Sequence, residues 1–322
     1  MTNFTIIIPT VNRPEDLEKT LECFLVQNLK SFQIILVDQS DNDRSEYVSN
    51  VYTNKWLTLN YYKFMIKSWA QARNFAIDKI DYLDNISGKK TEIVVFLDDD
   101  VSFEPDFLYH LGKYIESKSN IVWGTWKINS PSRQFGFSKK IWQWLLWWWR
   151  NINQQIVTKL WFNQLFSIQP TSEEPVQWTG GCGMWFRKST IDTGRYRFPE
   201  YFLKYSIMED VFFSYSISCN YPGLLTYTPT TEMIHHESPN RSIPNYQKIR
   251  QHCIHRYIFH KTFGVSMIWY MWTILLLMVL DFIIFWRWSI LAEYFKSLIY
   301  VHQNRKKLSL DEWDYNIFIF DL

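Results

Sequence analysis

The segment IVVFLDDD at residues 93–100 limits what this chain can fold into more than any other: an apolar run, Ile93 to Leu97, followed at once by Asp98, Asp99 and Asp100. A short β-branched run bounded by polar residues reads as a strand buried on both faces. Three carboxylates at its end repel one another, and their pKa values rise unless a cation or a polar ligand compensates. Alternating side-chain direction lets Asp98 and Asp100 converge on one ligand while Asp99 points elsewhere. All-oxygen ligation of this kind suits Mg2+ or Mn2+, which commonly bridge phosphate oxygens. The plainer alternative is a solvated acidic turn that caps a helix near Glu104 and Pro105.

The preceding residues supply a context for that strand. Phe4 to Ile8 is a short buried strand stopped by Pro9, and Ile34 to Val37 is a second, ending at Asp38 and the turn-rich stretch Gln39 to Arg44. Pro14 opens a helix with Leu17, Leu21, Phe24 and Leu25 on one face, and Ala70 to Ile80 reads as another. Strand and helix in alternation predict an α/β fold, a Rossmann-like, mostly parallel doubly wound sheet. Ligands of such sheets lie beyond the carboxyl ends of the strands, where Asp38 and Asp98–Asp100 all fall.

The chain has 322 residues, room for one large domain and an appendage, and its net charge of +2 gives no field that points to nucleic acid. Cys23, Cys182, Cys219 and Cys253 form no CxxC pair, which predicts buried thiols in a reducing compartment. The start, MTNFTIIIPT, lacks the basic and long apolar parts of a signal peptide, so the expected location is cytosolic. Aromatic residues reach 19%, with 17 Trp, an excess suited to sugar platforms or to a membrane interface.

Beyond residue 121 the character changes. Lys139 to Phe166 is dense in tryptophan, with Leu145, Trp148, Ile152, Ile156 and Leu160 as a helical stripe. A polar linker with Pro170 and Pro175 leads to Gly180, Gly181 and Gly183, then to the acidic pair Glu209 and Asp210. Glycines permit close backbone approach to a ligand, and Trp178 beside them is either a sugar platform or packing. Phe263 to Trp286 is apolar apart from small or mildly polar residues and one charge, Asp281, and as one helix it reaches across a bilayer core. A single crossing would put Arg305, Lys306 and Lys307 on the far side, whereas an in-plane helix keeps them with the catalytic part.

Taken in order, IIIPTVNRPEDLEKTL, ILVDQSD, AQARNFAI, FLDDDVSFEPDFL, WTGGCGMWFRKS and MEDVFFSYSIS resemble a family 2 glycosyltransferase of the GT-A fold, over residues 4 to about 240. The resemblance implies that Pro9, Thr10, Arg13, Asp38 and Arg73 line the nucleotide, with Asp38 on the base. It implies that Asp98 and Asp99 lie at the nucleotide-sugar, Asp98 on the ribose or the metal's shell, and that Asp100 ligates Mn2+ or Mg2+. Asp210 would be the catalytic base, Glu209 would orient the acceptor hydroxyl, and Trp178, Gly180 and Gly181 would face the acceptor. A helix N-terminus favours an acidic pair in any case. In relatives a histidine near His235 and His236 completes the metal site; spacing alone leaves open which one, or whether both lie on a surface turn. The second strand reads VDQSD where many relatives have VDDGS, so Gln39 and Ser40 depart from the pattern.

The expectation is a GT-A catalytic domain at 1–240, with a nucleotide-binding half at 1–120 and an acceptor-binding half at 121–240, and a membrane-associated helical region at 241–322. The activity expected is inverting transfer from a UDP- or dTDP-sugar to a saccharide hydroxyl, lipid-linked, at the cytoplasmic face of a membrane, as in surface polysaccharide synthesis. A metal-dependent nucleotidyltransferase would show a glycine-rich loop after the first strand, where PTVNRP has none. A non-catalytic carbohydrate-binding protein of this fold should lack the pair Asp100 and Asp210, and both are present.

Overall fold

The computed structural model describes residues 2–130, 170–204, 207–236, 245–264, 266–309 and 315–320. The tryptophan-dense segment 139–166 lies outside the described residues.

The amino-terminal part is β1 (Phe4–Thr10), α1 (Pro14–Leu25), β2 (Phe32–Asp38), α2 (Arg44–Asn54), β3 (Leu59–Lys63), α3 (Trp69–Ser87), β4 (Ile93–Leu97), β5 (Val101–Phe103), α4 (Phe107–Ser117) and β6 (Trp123–Asn129). After it come β7 (Glu174–Pro175), β8 (Gly183–Arg187), α5 (Lys188–Gly194), α6 (Glu209–Asn220) and β9 (Leu225–His235). Four helices close the chain: α7 (Asn245–Thr262), α8 (Met267–Phe285), α9 (Trp288–Asn304) and α10 (Tyr315–Phe320).

The described strands form one sheet in the order β3-β2-β1-β4-β8-β6-β9-β5, with β7 on β9. Strand β1 pairs parallel with β2 and β4, and β2 with β3. The rest is mixed, because β8 runs antiparallel to β4 and β6, and β5 antiparallel to β9. The parallel expectation therefore holds for half of the sheet. The reversal has a consequence for the site: β8 starts with Gly183 opposite Leu97, which sets the glycine turn beside Asp98.

Local chemistry accounts for the boundaries. Strand β1 continues through Pro9 because β4 pairs with it only as far as Ile7, so the missing N–H removes no bond on that side. Ser68 caps α3 by accepting the Gln71 N–H at 3.2 Å, and Gly88, at φ 67°, ends it. One face of the sheet packs on α1, α2 and α4 through Leu17, Leu21 and Leu111, and the other on α3 and α6 through Ala76, Ile80 and Phe213. A third apolar cluster joins Trp178, Phe202 and Phe212 to Ile254, Tyr294 and Ile319, so the carboxyl-terminal helices pack on the element that carries Glu209 and Asp210.

The apolar run from Phe263 to Trp286 is not one helix. Gly264, at φ 72°, lies between α7 and α8, and Ser266 caps α8 by accepting the Ile268 N–H at 3.3 Å. Among the described residues no helix is long and apolar enough to cross a membrane. The one charge of α8, Asp281, accepts a hydrogen bond of 2.6 Å from the buried Tyr294 hydroxyl.

Candidate active site

The carboxyl ends of β1, β2 and β4, the glycine turn before β8, the start of α6 and the end of β9 converge on one group of buried polar side chains. Asp98, Asp100 and His235 are all buried, and one ligand atom from each lies within 4.8 Å of the others. His235 Nε2 is 3.1 Å from Asp100 Oδ1 and 3.5 Å from Asp98 Oδ2. Burial pulls the His235 pKa down, but the hydrogen bond with Asp100, the Cys182 thiol and the Asp98 charge outweigh it and push it up to about 10. Strand β9 brings His235 here by pairing it with Val101. The following residue faces away: His236 is exposed and its Nε2 lies 2.8 Å from Ser102 Oγ. The expected choice between the two histidines therefore falls on His235, because successive side chains of a strand point to opposite faces.

Asp99 turns from this group into the protein. It is fully buried, accepts a hydrogen bond of 2.6 Å from Thr10 and pairs with Arg13 at 2.7 Å. Its burial pushes its pKa up to about 7 against the pull of Arg13. Arg13 reaches on to Asp100 at 3.3 Å, so it links two of the three aspartates. Asp38 is also fully buried, and one carboxylate oxygen accepts from Tyr61 at 2.9 Å and from Lys63 at 3.1 Å. Pro9 continues β1, opposite Val37.

Arg73 is the hub. Its guanidinium donates to Glu209 Oε1 at 3.2 Å, to Asp98 Oδ1 at 3.4 Å and to the Gly181 carbonyl at 3.2 Å. Helix α3 holds it there with the Trp69 ring 5.7 Å away and the Phe198 ring at 5.3 Å, two cation–π contacts. A Cβ on Gly181 would lie 2.8 Å from Arg73 Nη2, so a side chain there would force the guanidinium to shift.

Glu209 and Asp210 begin α6. Met208 before them has φ 81°, an uncommon conformation for a side-chain-bearing residue, and it aims the pair at the glycine turn. Asp210 Oδ2 accepts the Gly181 N–H at 2.8 Å and Oδ1 the Val211 N–H at 2.8 Å. Asp210 keeps partial access to solvent, whereas Glu209 is buried. Burial raises both pKa values, and for Glu209 the Asp210 charge adds to the rise. Gly180 sits beside the same carboxylate, its notional Cβ 3.9 Å from Asp210 Oδ2.

Trp178 is not brought to this surface. It is buried with Phe202 and Phe212, so here it packs rather than forming a platform. Sequence reasoning missed Trp69, which lies between Arg13 and Arg73 at 5.6 and 5.7 Å, and Cys182, set beside His235. The position of Cys182 between Gly181 and Gly183 was the available signal; for Trp69 there was none. The three donors fit a divalent ion, since two carboxylates and an imidazole are gathered in one buried place, and an ion there would take the position of the proton that His235 holds beside Asp100.

The curated poly(ribitol-phosphate) β-N-acetylglucosaminyltransferase TarP of Staphylococcus aureus is 27% identical over 138 residues, 41% of this chain and 39% of that protein. The chain thus spans about two fifths of that relative's length. The solved structure of residues 1–349 of TarS from S. aureus matches 77% of this chain and 64% of its own, at 17% identity and a TM-score of 0.51. The mannosyltransferase PcManGT of Pyrobaculum calidifontis, solved with GDP-Man and Mn2+, matches 95% of this chain and 75% of its own, at 13% identity and a TM-score of 0.53. At these identities the structural matches speak for the fold, an α/β mixed sheet of GT-A type. The model of glycosyl transferase family 2 matches residues 5–172, more than half of the chain, and the chain belongs to that family.

Proposed function

We propose that this protein is an inverting glycosyltransferase that moves a sugar from a nucleoside diphosphate sugar, UDP- or dTDP-linked, to a hydroxyl of a saccharide acceptor. The observation that carries the reading is Arg73, whose single guanidinium bridges Asp98 of the metal-ligand group and Glu209 of the acidic pair. The leaving diphosphate and the attacking hydroxyl belong on the two sides of that bridge.

Asp98, Asp100 and His235 would hold Mn2+ or Mg2+, which when bound offsets the charge that develops on the leaving diphosphate. Thr10, Arg13 and Arg73 flank the same place and orient the nucleotide, with Pro9 and Asp38 behind them. Asp210 takes the proton from the acceptor hydroxyl as that oxygen attacks the anomeric carbon. Attack from the face opposite the diphosphate inverts the configuration there. The Gly181 and Val211 N–H groups hold the Asp210 carboxylate in one orientation for that transfer. Glu209, fixed by Arg73, orients the acceptor.

The curated relative's name gives a first donor and acceptor to test, an N-acetylglucosamine nucleotide and poly(ribitol phosphate). The wider assignment is a lipid-linked saccharide acceptor at the cytoplasmic face of a membrane, with residues 1–240 carrying transfer and 241–322 serving attachment. Release of UDP from UDP-GlcNAc, with that polymer and with lipid-linked saccharides, is measured in the presence of Mn2+. We expect Asp210→Asn to lower turnover by about 10²–10⁴-fold, the usual share of a positioned base. The variant should keep its UDP–Mn2+ thermal shift. Undiminished turnover would remove Asp210 from the mechanism.

A further inference from the structure

Helices α8 and α9 form a hairpin with an apolar outer face. Along α8 the inner side buries Tyr270, Thr273, Ile274 and Leu280 against the protein. The outer side exposes Ile268, Trp272, Leu275, Val279 and Ile283, spaced three to four residues apart. Apolar residues on all sides of a helix call for cover on all sides, and here one side has none from the described residues. Phe295 and Ile299 extend the same face onto α9, both 56% exposed. Between the helices lies a groove of about 590 Å³ lined by apolar side chains, among them Met267, Met271, Trp272, Leu275, Phe295 and Leu298.

Two further observations say what covers this face. At the hairpin turn Trp286, at φ 48°, and Trp288 are 76% and 77% exposed on either side of the exposed Arg287. Indoles flanking a cation match the boundary between acyl chains and headgroups. Cations also stand beside and beyond the apolar stripe: Lys296, adjacent to Phe295, is 67% exposed, and Arg305, Lys306 and Lys307 are exposed at the far end of α9. The single acid of α8, Asp281, is turned inward onto Tyr294 and leaves that face without negative charge.

We infer that the α8–α9 hairpin docks on an anionic lipid surface, lying in the plane of the interface with its outer face in the acyl boundary. The inner face of α8 decides between lying flat and crossing. Tyr270, Ile274 and Leu280 are already packed on the protein, so a crossing would strip them of that contact, while an in-plane helix keeps it. The inference gives the membrane-attached acceptor assigned above a physical basis, and its test reads lipid binding rather than transfer, so the two readings fail separately.

The test is flotation of the full chain with phosphatidylcholine vesicles containing or lacking phosphatidylglycerol. Expected is binding to the anionic vesicles that weakens at least ten-fold in Trp272→Gln/Trp286→Gln/Trp288→Gln. Trp56→Gln, which changes a 96% exposed tryptophan outside the hairpin, should bind like the parent chain. Retention of the UDP–Mn2+ thermal shift shows that the triple variant is folded. The inference is overturned if the parent chain ignores vesicles, if it binds neutral and anionic vesicles alike, or if the triple variant binds undiminished. A chain that is a dimer in sedimentation without lipid, and becomes a monomer in the triple variant, would assign the face to a second copy instead.

Discussion

Arg73 and Gly181 show how narrowly the chemistry of this site depends on single side chains. The guanidinium sits between two buried carboxylates, Asp98 and Glu209, and the absence of a Cβ at residue 181 gives it room. We therefore expect Gly181→Ala to displace Arg73, to cost about 1–3 kcal/mol of stability as an overpacked position does, and to lower transfer far more than the stability loss explains. Parallel urea titration and UDP-release assays check this; a variant with unchanged turnover would mean that Arg73 has another place to go. The raised pKa of Asp210 carries a second expectation. The base acts only when ionised, and a folded-state pKa above the ordinary aspartate value means that ionisation is lost earlier as the pH falls. The acidic limb of kcat/KM should accordingly lie above the ordinary aspartate range, and a limb at the unperturbed aspartate value would contradict the desolvation of this carboxylate.

At the scale of elements, α7 carries buried imidazoles that make it sensitive to pH. His255 and His260 are buried, and burial pushes both pKa values down to about 4. The unfolded chain takes up protons near pH 6.5 that the folded helix refuses, so α7 loses stability as the pH falls from about 6.5 towards 4. The slope is about 1.4 kcal/mol per pH unit for each histidine. Asp99, raised to about 7, contributes with the opposite sign, because its folded form gains protons first and is favoured by acid. Global unfolding mixes the two, and a local probe separates them. Hydrogen exchange of the α7 amides should speed up between pH 6.5 and 5 relative to β1, after correction for intrinsic rates; equal protection would show that the imidazoles accept protons in the folded helix.

Over the whole molecule the site is assembled from segments up to 225 residues apart in sequence, Thr10 to His235. A nucleotide and a divalent ion that bind only this assembled arrangement must stabilise the entire fold. At a hundredfold excess over Kd, UDP with Mn2+ should add about 2.7 kcal/mol to unfolding. The thermal shift should disappear on chelation, and in Asp100→Ala it should not appear; a shift indifferent to chelation would place the nucleotide elsewhere.

The alternation of apolar runs with helical stripes determined the parallel part of the sheet by itself, since runs buried on both faces become neighbouring parallel strands covered by helices, as β1 does with β2 and β4. It also put Asp38 and Asp98–Asp100 at strand ends, because a strand's end is a local property of the chain. The direction of β8, the choice of His235 over His236, the burial of Trp178 and the bridging place of Arg73 were decided only by tertiary structure. Each of these depends on which segment lies opposite, and a residue's partners across a sheet or a turn leave no mark in its own neighbourhood of sequence. The same holds for α8: its composition announces an apolar helix, but only packing against α7 and α9 decides which side of it remains uncovered.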